Sequence, residues 1–248
     1  MSFSAYIICT TPRSGSTLLC DLLTATGIAG QPNSYFRCQD IGYWASLWGT
    51  DDPTTTYDPR FNLAYLAAMK RAGSADTGVF GLRLMWQSVR DTEKRLGAAL
   101  GKTADVATLF EEAFGPTLFI HLSRQDKDAQ AVSLVRAEQT GLWHVATDGS
   151  ERERAKPHQA PVFNAAQINQ ARQKLTANDA NWSSFFDLRG IRPLRIFYED
   201  LANNPQVALA GVLSGLGREA NIALTVSPST IKMADHSSFL WKQQIEIK

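Results

Sequence analysis

The sequence predicts an α/β protein with a mainly parallel central sheet flanked by helices. Three observations carry that expectation: short, nearly continuous apolar runs spread along the chain, stretches of helical periodicity between them, and a hydroxyl-rich turn with a glycine directly behind the first run. Strands buried on both faces read as unbroken apolar segments, and the helices between them supply the crossovers that parallel pairing requires.

The first strand, Ile7-Ile8-Cys9-Thr10, leads through Thr11-Pro12-Arg13-Ser14-Gly15-Ser16-Thr17 into a helix whose Leu18, Leu19, Leu22 and Leu23 share one face, with Gly27 as its stop. A second strand is predicted over 79–86, followed by helices near 88–100 and 103–114, the latter closed by Gly115 and Pro116. Leu118-Phe119-Ile120-His121-Leu122 is a third strand, leading through Ser123-Arg124 into a helix over about 126–142. Residues 145–161 change character: alternating Glu and Arg with Gly149, Lys156 and Pro157 read as a solvated polar loop, mobile over the site. Helical periodicity returns over 164–186, a fourth strand follows over 194–199, and a last helix over 205–216 begins on Pro205 and ends at Gly217. The 248 residues carry no internal repeat and read as one domain, 1–248.

Composition narrows the function. With 44% hydrophobic and 20% charged residues the chain can bury a large core. Twenty-five basic and 24 acidic residues leave a formal charge of +1, so no global field favours nucleic acid or an anionic membrane, and an anion must be met by local groups. The polar opening Met1-Ser2-Phe3-Ser4 and the lack of an apolar run long enough to span a bilayer predict a cytoplasmic protein with no integral membrane segment. Cys9, Cys20 and Cys38 form no zinc spacing and are expected as thiols, and four scattered histidines give no metal site.

The turn after the first strand has the build of a phosphate cradle. A helix start carries N–H groups without intrahelical acceptors and partial positive charge. Ser14, Ser16 and Thr17 add hydroxyls, Gly15 allows close backbone approach, and Arg13 brings a fixed charge. A Walker A loop would need glycine at Thr10 and lysine at Ser16, which weakens a P-loop kinase or nucleotide hydrolase reading. A second anion element follows the third strand, where the Arg124 guanidinium offers a planar fork of donors and the Ser133 hydroxyl, one to two helical turns on, can close the other side.

Pro12-Arg13-Ser14-Gly15-Ser16 resembles the phosphosulfate-binding loop of sulfotransferases that use 3′-phosphoadenosine 5′-phosphosulfate (PAPS), and Arg124 with Ser133 resembles their element for the 3′-phosphate. The chain as a whole resembles the bacterial trehalose-2-sulfotransferase family and its relatives among rhizobial lipopolysaccharide sulfotransferases. The likeness is carried by Arg13-Ser14-Gly15-Ser16-Thr17-Leu18-Leu19, Ala25-Thr26-Gly27, the 30–36 loop, Leu84-Met85-Trp86, Ala131-Val132-Ser133, Gln139-Thr140 and Trp143. Met233-Ala234-Asp235-His236-Ser237-Ser238 resembles a C-terminal nucleotide-facing segment of the same family. This resemblance implies a P-loop-like sulfotransferase fold, PAPS as donor with 3′-phosphoadenosine 5′-phosphate (PAP) as product, and a hydroxyl of a carbohydrate or glycolipid as acceptor. Arg13 would act at the sulfuryl group, and a homodimer is among the assemblies left open.

One departure stands out. The family's loop after the first helix carries a glutamate proposed as general base, and Ser34 occupies that position here, within Gly30-Gln31-Pro32-Asn33-Ser34-Tyr35-Phe36. Serine takes no proton near neutral pH without a partner, so Asp40, Asp51, Glu138 and His144 become candidates, and a non-catalytic PAP- or PAPS-binding module stays open as an alternative. Tyr35, Phe36, Tyr43, Trp44, Trp48, Tyr57, Phe61 and Tyr65 crowd the following stretch; two or three are expected to wall an acceptor pocket and the rest to fill the core.

Overall fold

The computed structural model describes residues 3–50, 55–228 and 236–246. Its centre is a four-stranded sheet built from β1 (Ala5–Thr10), β2 (Phe80–Met85), β3 (Thr117–Ser123) and β6 (Leu194–Phe197), in the order β2-β1-β3-β6. Every pairing is parallel, as the apolar runs predicted. β1 lies centrally and is buried along its whole length. Its alternate residues divide between two cores: Ala5, Ile7 and Cys9 on one face, Tyr6 and Ile8 on the other. A residue is buried whichever way it points, and this is why the run has no charged member.

The first face is covered by α2 (Ile41–Trp48), α3 (Pro59–Ser74), α4 (Val89–Leu100), α5 (Val106–Phe114) and the C-terminal part of α7 (Ala165–Leu188). The opposite face packs against α1 (Ser16–Ala25), α8 (Tyr198–Asn203) and α9 (Pro205–Gly215). A third cluster joins α6 (Lys127–Thr140), the N-terminal half of α7 and Trp241 of α10 (His236–Glu246). None of the helices among the described residues is long and apolar enough to cross a membrane.

Several boundaries differ from the sequence expectation. The fourth strand ends at Phe197, because Tyr198 opens α8 with Glu199 and Asp200 in its first turn. α9 is followed by α10, so the helix over 205–216 is not the last. The segment expected as an open polar loop contains β5 (Glu151–Arg154), paired antiparallel with β4 (Leu142–Val145) in a hairpin. Arg152 of that hairpin forms an ion pair with Asp21 of α1, tying it to the helix behind the cradle. Asp51 and Met233-Ala234-Asp235 lie outside the described residues.

Most of the aromatic stretch is core, Tyr43 and Tyr57 are exposed, and none of it walls the cleft. Tyr35, Phe36, Phe61 and Tyr65 are buried, Trp44 and Trp48 pack on the same cluster, and Tyr35 meets Trp44 edge-on at 5.2 Å. None of the eight lines the large cleft among the described residues. Rings of this size gain more from shedding water in a mutual cluster than from a wet wall.

Asp91 of α4 pins the neighbouring loops, accepting from Arg95 Nε at 2.7 Å, Tyr57 Oη at 3.0 Å and Cys38 Sγ at 3.3 Å. Burial pushes its pKa up, but the Arg95 bonds and charge outweigh that, and the carboxyl sits below its usual range. A carboxyl depressed in the folded state adds stability that is present above its unfolded pKa and lost as pH falls through the folded one. Asp91→Asn is therefore expected to cost about 1.5–3 kcal/mol near neutral pH, the worth of hydrogen bonds to a charged group. Denaturant unfolding of the two proteins should converge when repeated at increasingly acid pH.

Candidate active site

β1 and β3 are neighbours in register, with Thr10 opposite Leu122, so the chain leaves both strands at adjacent carboxyl ends. From β1 the chain proceeds to β2 on one side, while β3 lies on the other. This reversal opens a crevice at the strand ends, where ligands of open parallel sheets bind. The two arginines follow from that topology: Arg13 lies three residues past the end of β1 and Arg124 one residue past the end of β3. Arg124 Nη1 donates to the Arg13 carbonyl at 3.3 Å, so the two anion elements read separately from the sequence form one site.

The cradle is held from behind. Trp182 Nε1 donates to the Thr10 carbonyl at 3.0 Å, and Gln130 Nε2 donates to the Pro12 carbonyl at 2.7 Å and to Thr11 Oγ1 at 3.0 Å. Asp179 accepts from Thr11 and pairs with Lys127. These bonds hold Arg13 at φ 62°, a left-handed conformation that costs a side-chain-bearing residue about 1–2 kcal/mol. Gly15 follows at φ 83° and opens α1 with no side-chain cap. Leu19 N–H makes a helical bond back to the Gly15 carbonyl at 3.1 Å, and the first-turn N–H groups before it have no intrahelical acceptor.

The side chains expected at the site divide by direction. Arg13 Nε donates to Ser133 Oγ at 3.0 Å and its Nη1 to the Trp143 carbonyl at 2.6 Å, which joins the cradle to α6 and to β4. Ser14 is fully buried; its hydroxyl meets Thr10 Oγ1 at 2.6 Å, while Thr10 donates to the Leu122 carbonyl at 2.7 Å. Ser14 therefore braces the strand ends with its hydroxyl and has only its N–H to offer an anion. Gly15, Ser16, Thr17 and Ser133 line the cleft together with Arg13 and Arg124.

Ser34 is buried, and its hydroxyl accepts from Arg83 Nε at 2.7 Å. The same guanidinium donates through Nη1 to Thr17 Oγ1 at 2.8 Å. Arg83 is the residue that sequence reasoning missed; the available signal was a cation interrupting the apolar run of β2. The loop carrying Ser34 runs beside that strand, with Arg83 N–H bonded to the Asn33 carbonyl at 3.0 Å. Among the alternative bases, Asp40 pairs with Arg37 and Glu138 is exposed on α6 along the cleft. His144 meets the cradle itself, with Nε2 3.0 Å from Thr17 Oγ1.

Electrostatically the site is short of negative charge. Burial and the neighbouring Arg124 lower the Arg13 pKa to about 10. Burial also lowers that of Arg124, whose guanidinium lies 4.4 Å from the Tyr198 ring centre and whose Nε is buried with no hydrogen-bond partner among the described residues. Two desolvated cations and an orphaned donor form an arrangement that an anion with several oxygens would stabilise. The cleft in front of them has a volume of about 1650 Å³, and its walls carry the amides of Gln87, Gln139, Gln159, Gln167, Gln170 and Asn178.

Comparison with known proteins gives this arrangement a family. The family model described as Stf0 sulphotransferase matches residues 5–246. The chain is 29% identical over 253 residues to the trehalose 2-sulfotransferase of Mycobacterium tuberculosis (strain Erdman), covering 95% of this chain and 92% of that one. It is 27% identical over 263 residues to the trehalose 2-sulfotransferase of Mycolicibacterium smegmatis, covering 97% and 94%. With the match spanning the whole sheet and both arginine-bearing strand ends, the chain belongs to the Stf0 sulphotransferase family.

Proposed function

We propose that this sulfotransferase moves a sulfuryl group from PAPS to a hydroxyl of a carbohydrate, free or as the head group of a glycolipid. The convergence of Arg13 and Arg124 at neighbouring strand ends carries the reading. Two phosphate groups on one adenosine need two neighbouring cationic pockets, and the Arg124 Nε, without a partner among the described residues, supports a second one. The 5′-phosphosulfate would lie on Arg13, the first-turn N–H groups of α1, Ser16 and Thr17, and the 3′-phosphate on Arg124 and Ser133. When bound, PAPS supplies the sulfuryl group and departs as PAP. Arg13 and the N–H groups, already oriented by the bonds behind the loop, stabilise the charge that develops on the departing phosphate oxygen. The amide-lined cleft suits an acceptor rich in hydroxyls, because each amide both donates and accepts. Trehalose, the sugar named for both relatives, is the first acceptor to try.

The test is transfer of labelled sulfate from PAPS to trehalose and to a panel of sugars and glycolipids. Transfer to one of them is expected. Tight PAP binding with no transfer across the panel would favour the non-catalytic module, for which Ser34 in place of a carboxylate is the supporting observation. Binding of ATP-Mg²⁺ without PAP binding would favour a kinase.

Gly15 gives a further expectation. A Cβ added there would lie 2.7 Å from Tyr198 Cδ2, and the ring it displaces is the one over Arg124. Together with its positive φ, which costs alanine about 1–2 kcal/mol, Gly15→Ala should lower both the melting temperature and PAP affinity, the latter on the order of tenfold. Calorimetric titration with PAP measures it.

A further inference from the structure

His144 stands on β4 with its Nε2 3.0 Å from Thr17 Oγ1 and 3.5 Å from Glu153 Oε2 of β5. Its side chain is 23% exposed and lines the cleft. Arg83 Nη1 donates to Thr17 Oγ1, which leaves the Thr17 O–H free to donate to Nε2 in the tautomer that carries its proton on Nδ1. In that tautomer a lone pair faces the cradle, with the Glu153 carboxylate beside it to hold a proton once one arrives. Ser34, at the position where the family carries glutamate, is connected to this lone pair through Arg83 and Thr17.

We infer that His144, supported by Glu153, is the proton acceptor of the transfer, and that its lone pair is released for the task when anionic donor oxygens draw the Thr17 hydroxyl and the surrounding guanidinium groups to themselves. The inference rests on the donor reading above. In the balanced step the acceptor hydroxyl oxygen forms a bond to sulfur, the bond from sulfur to the 5′-phosphate oxygen breaks with its electron pair leaving on PAP, and the hydroxyl proton passes to Nε2. Glu153 then faces an imidazolium, which its negative charge stabilises.

The charges around the ring explain why donor and base are coupled. Arg13 faces it from the cradle, Arg83 from β2 and Arg152 from β5, against Asp21 of α1 and Glu153. Burial first, and then these three guanidinium groups, lower its pKa to about 3, so the imidazole is neutral and weakly basic while the cradle lacks an anion. Donor oxygens on Arg13 and on Thr17, which Arg83 touches, would cancel much of that field. The proton affinity of His144 therefore rises towards the working pH only once the donor is in place, which limits general-base chemistry to the loaded enzyme.

The experiment follows the His144 ring by NMR in histidine-labelled protein, assigned by its loss in His144→Asn, from pH 5 to 8 with and without PAP. The expected result is a ring signal that stays that of neutral imidazole across this range in the free protein and, with PAP bound, titrates within it. His144→Asn should lower kcat about 10²–10⁴-fold, the usual worth of a positioned base, with PAP affinity changed less than threefold. Glu153→Gln, a half-exposed position that folding tolerates, should lower kcat less and shift the acid limb of the pH profile. A wild-type ring signal insensitive to bound PAP, or undiminished kcat in both variants, would overturn the assignment. A wild-type protein that fails to bind PAP would instead overturn the donor reading on which it rests.

Discussion

Replacing Arg13 with alanine is expected to lower turnover about 10²–10³-fold, the cost of losing one preorganised donor to a developing anion. Affinity for PAP should fall far less. The reason lies in the ground state: Arg13 is crowded by Arg124, and burial with that like charge depresses its pKa to about 10. Removing it relieves the repulsion as it removes an attraction, so the two partly offset in binding. They do not offset in the transition state, where new charge appears on the phosphate oxygen. Single-turnover transfer and calorimetry with PAP separate the effects, and equal losses in both would contradict the role given to this residue.

Arg124→Ala should do the reverse. Arg124 is 9% exposed, braced by the Tyr198 ring, and keeps a buried N–H without a partner among the described residues. Hydrogen bonds to charged groups are worth about 1.5–3 kcal/mol, so PAP affinity should fall on the order of 10–100-fold. The diagnostic is the ratio of affinities for PAP and AMP, which differ only in the 3′-phosphate. That ratio should collapse in Arg124→Ala and survive in Arg13→Ala. Because Arg124 also holds the Arg13 carbonyl, a melting curve is needed to show that the variant keeps its fold.

The first strand, the cradle and the four-stranded parallel sheet were legible in the sequence because each has a local cause. An apolar run ending in Pro12-Arg13-Ser14-Gly15-Ser16 carries its own turn chemistry, and Gly15 at φ 83° is where the chain needs a residue without a Cβ. α3 was legible in principle, since Asp58 caps it by accepting from the Phe61 N–H at 2.9 Å and Pro59 opens it. The β4–β5 hairpin was not, because the alternation of Glu and Arg over 151–154 offers no apolar face and its strands are held by pairing and by the Arg152–Asp21 contact instead. Nor was the role of Arg83: register places it beside Thr17 only after β2 is known to pair with β1, with Arg83 opposite Ile8. Long-range register decides such contacts, and neighbouring residues in the chain carry no record of it.

The same point applies to Ser133 and Thr17. Their residue types suggested phosphate contacts, but their present partners, Arg13 and the Arg83–His144 pair, come from elements distant in sequence. The site is a junction of two strand ends, one helix start and one hairpin.

The most direct test of the central claim is isothermal titration of the unaltered protein with PAP and with AMP. Paired anion pockets at the ends of β1 and β3 predict one PAP bound per chain, on the order of 10-fold or more tighter than AMP, from the bonds a second phosphate adds. No heat of binding with PAP, or equal affinity for the two nucleotides, would contradict it.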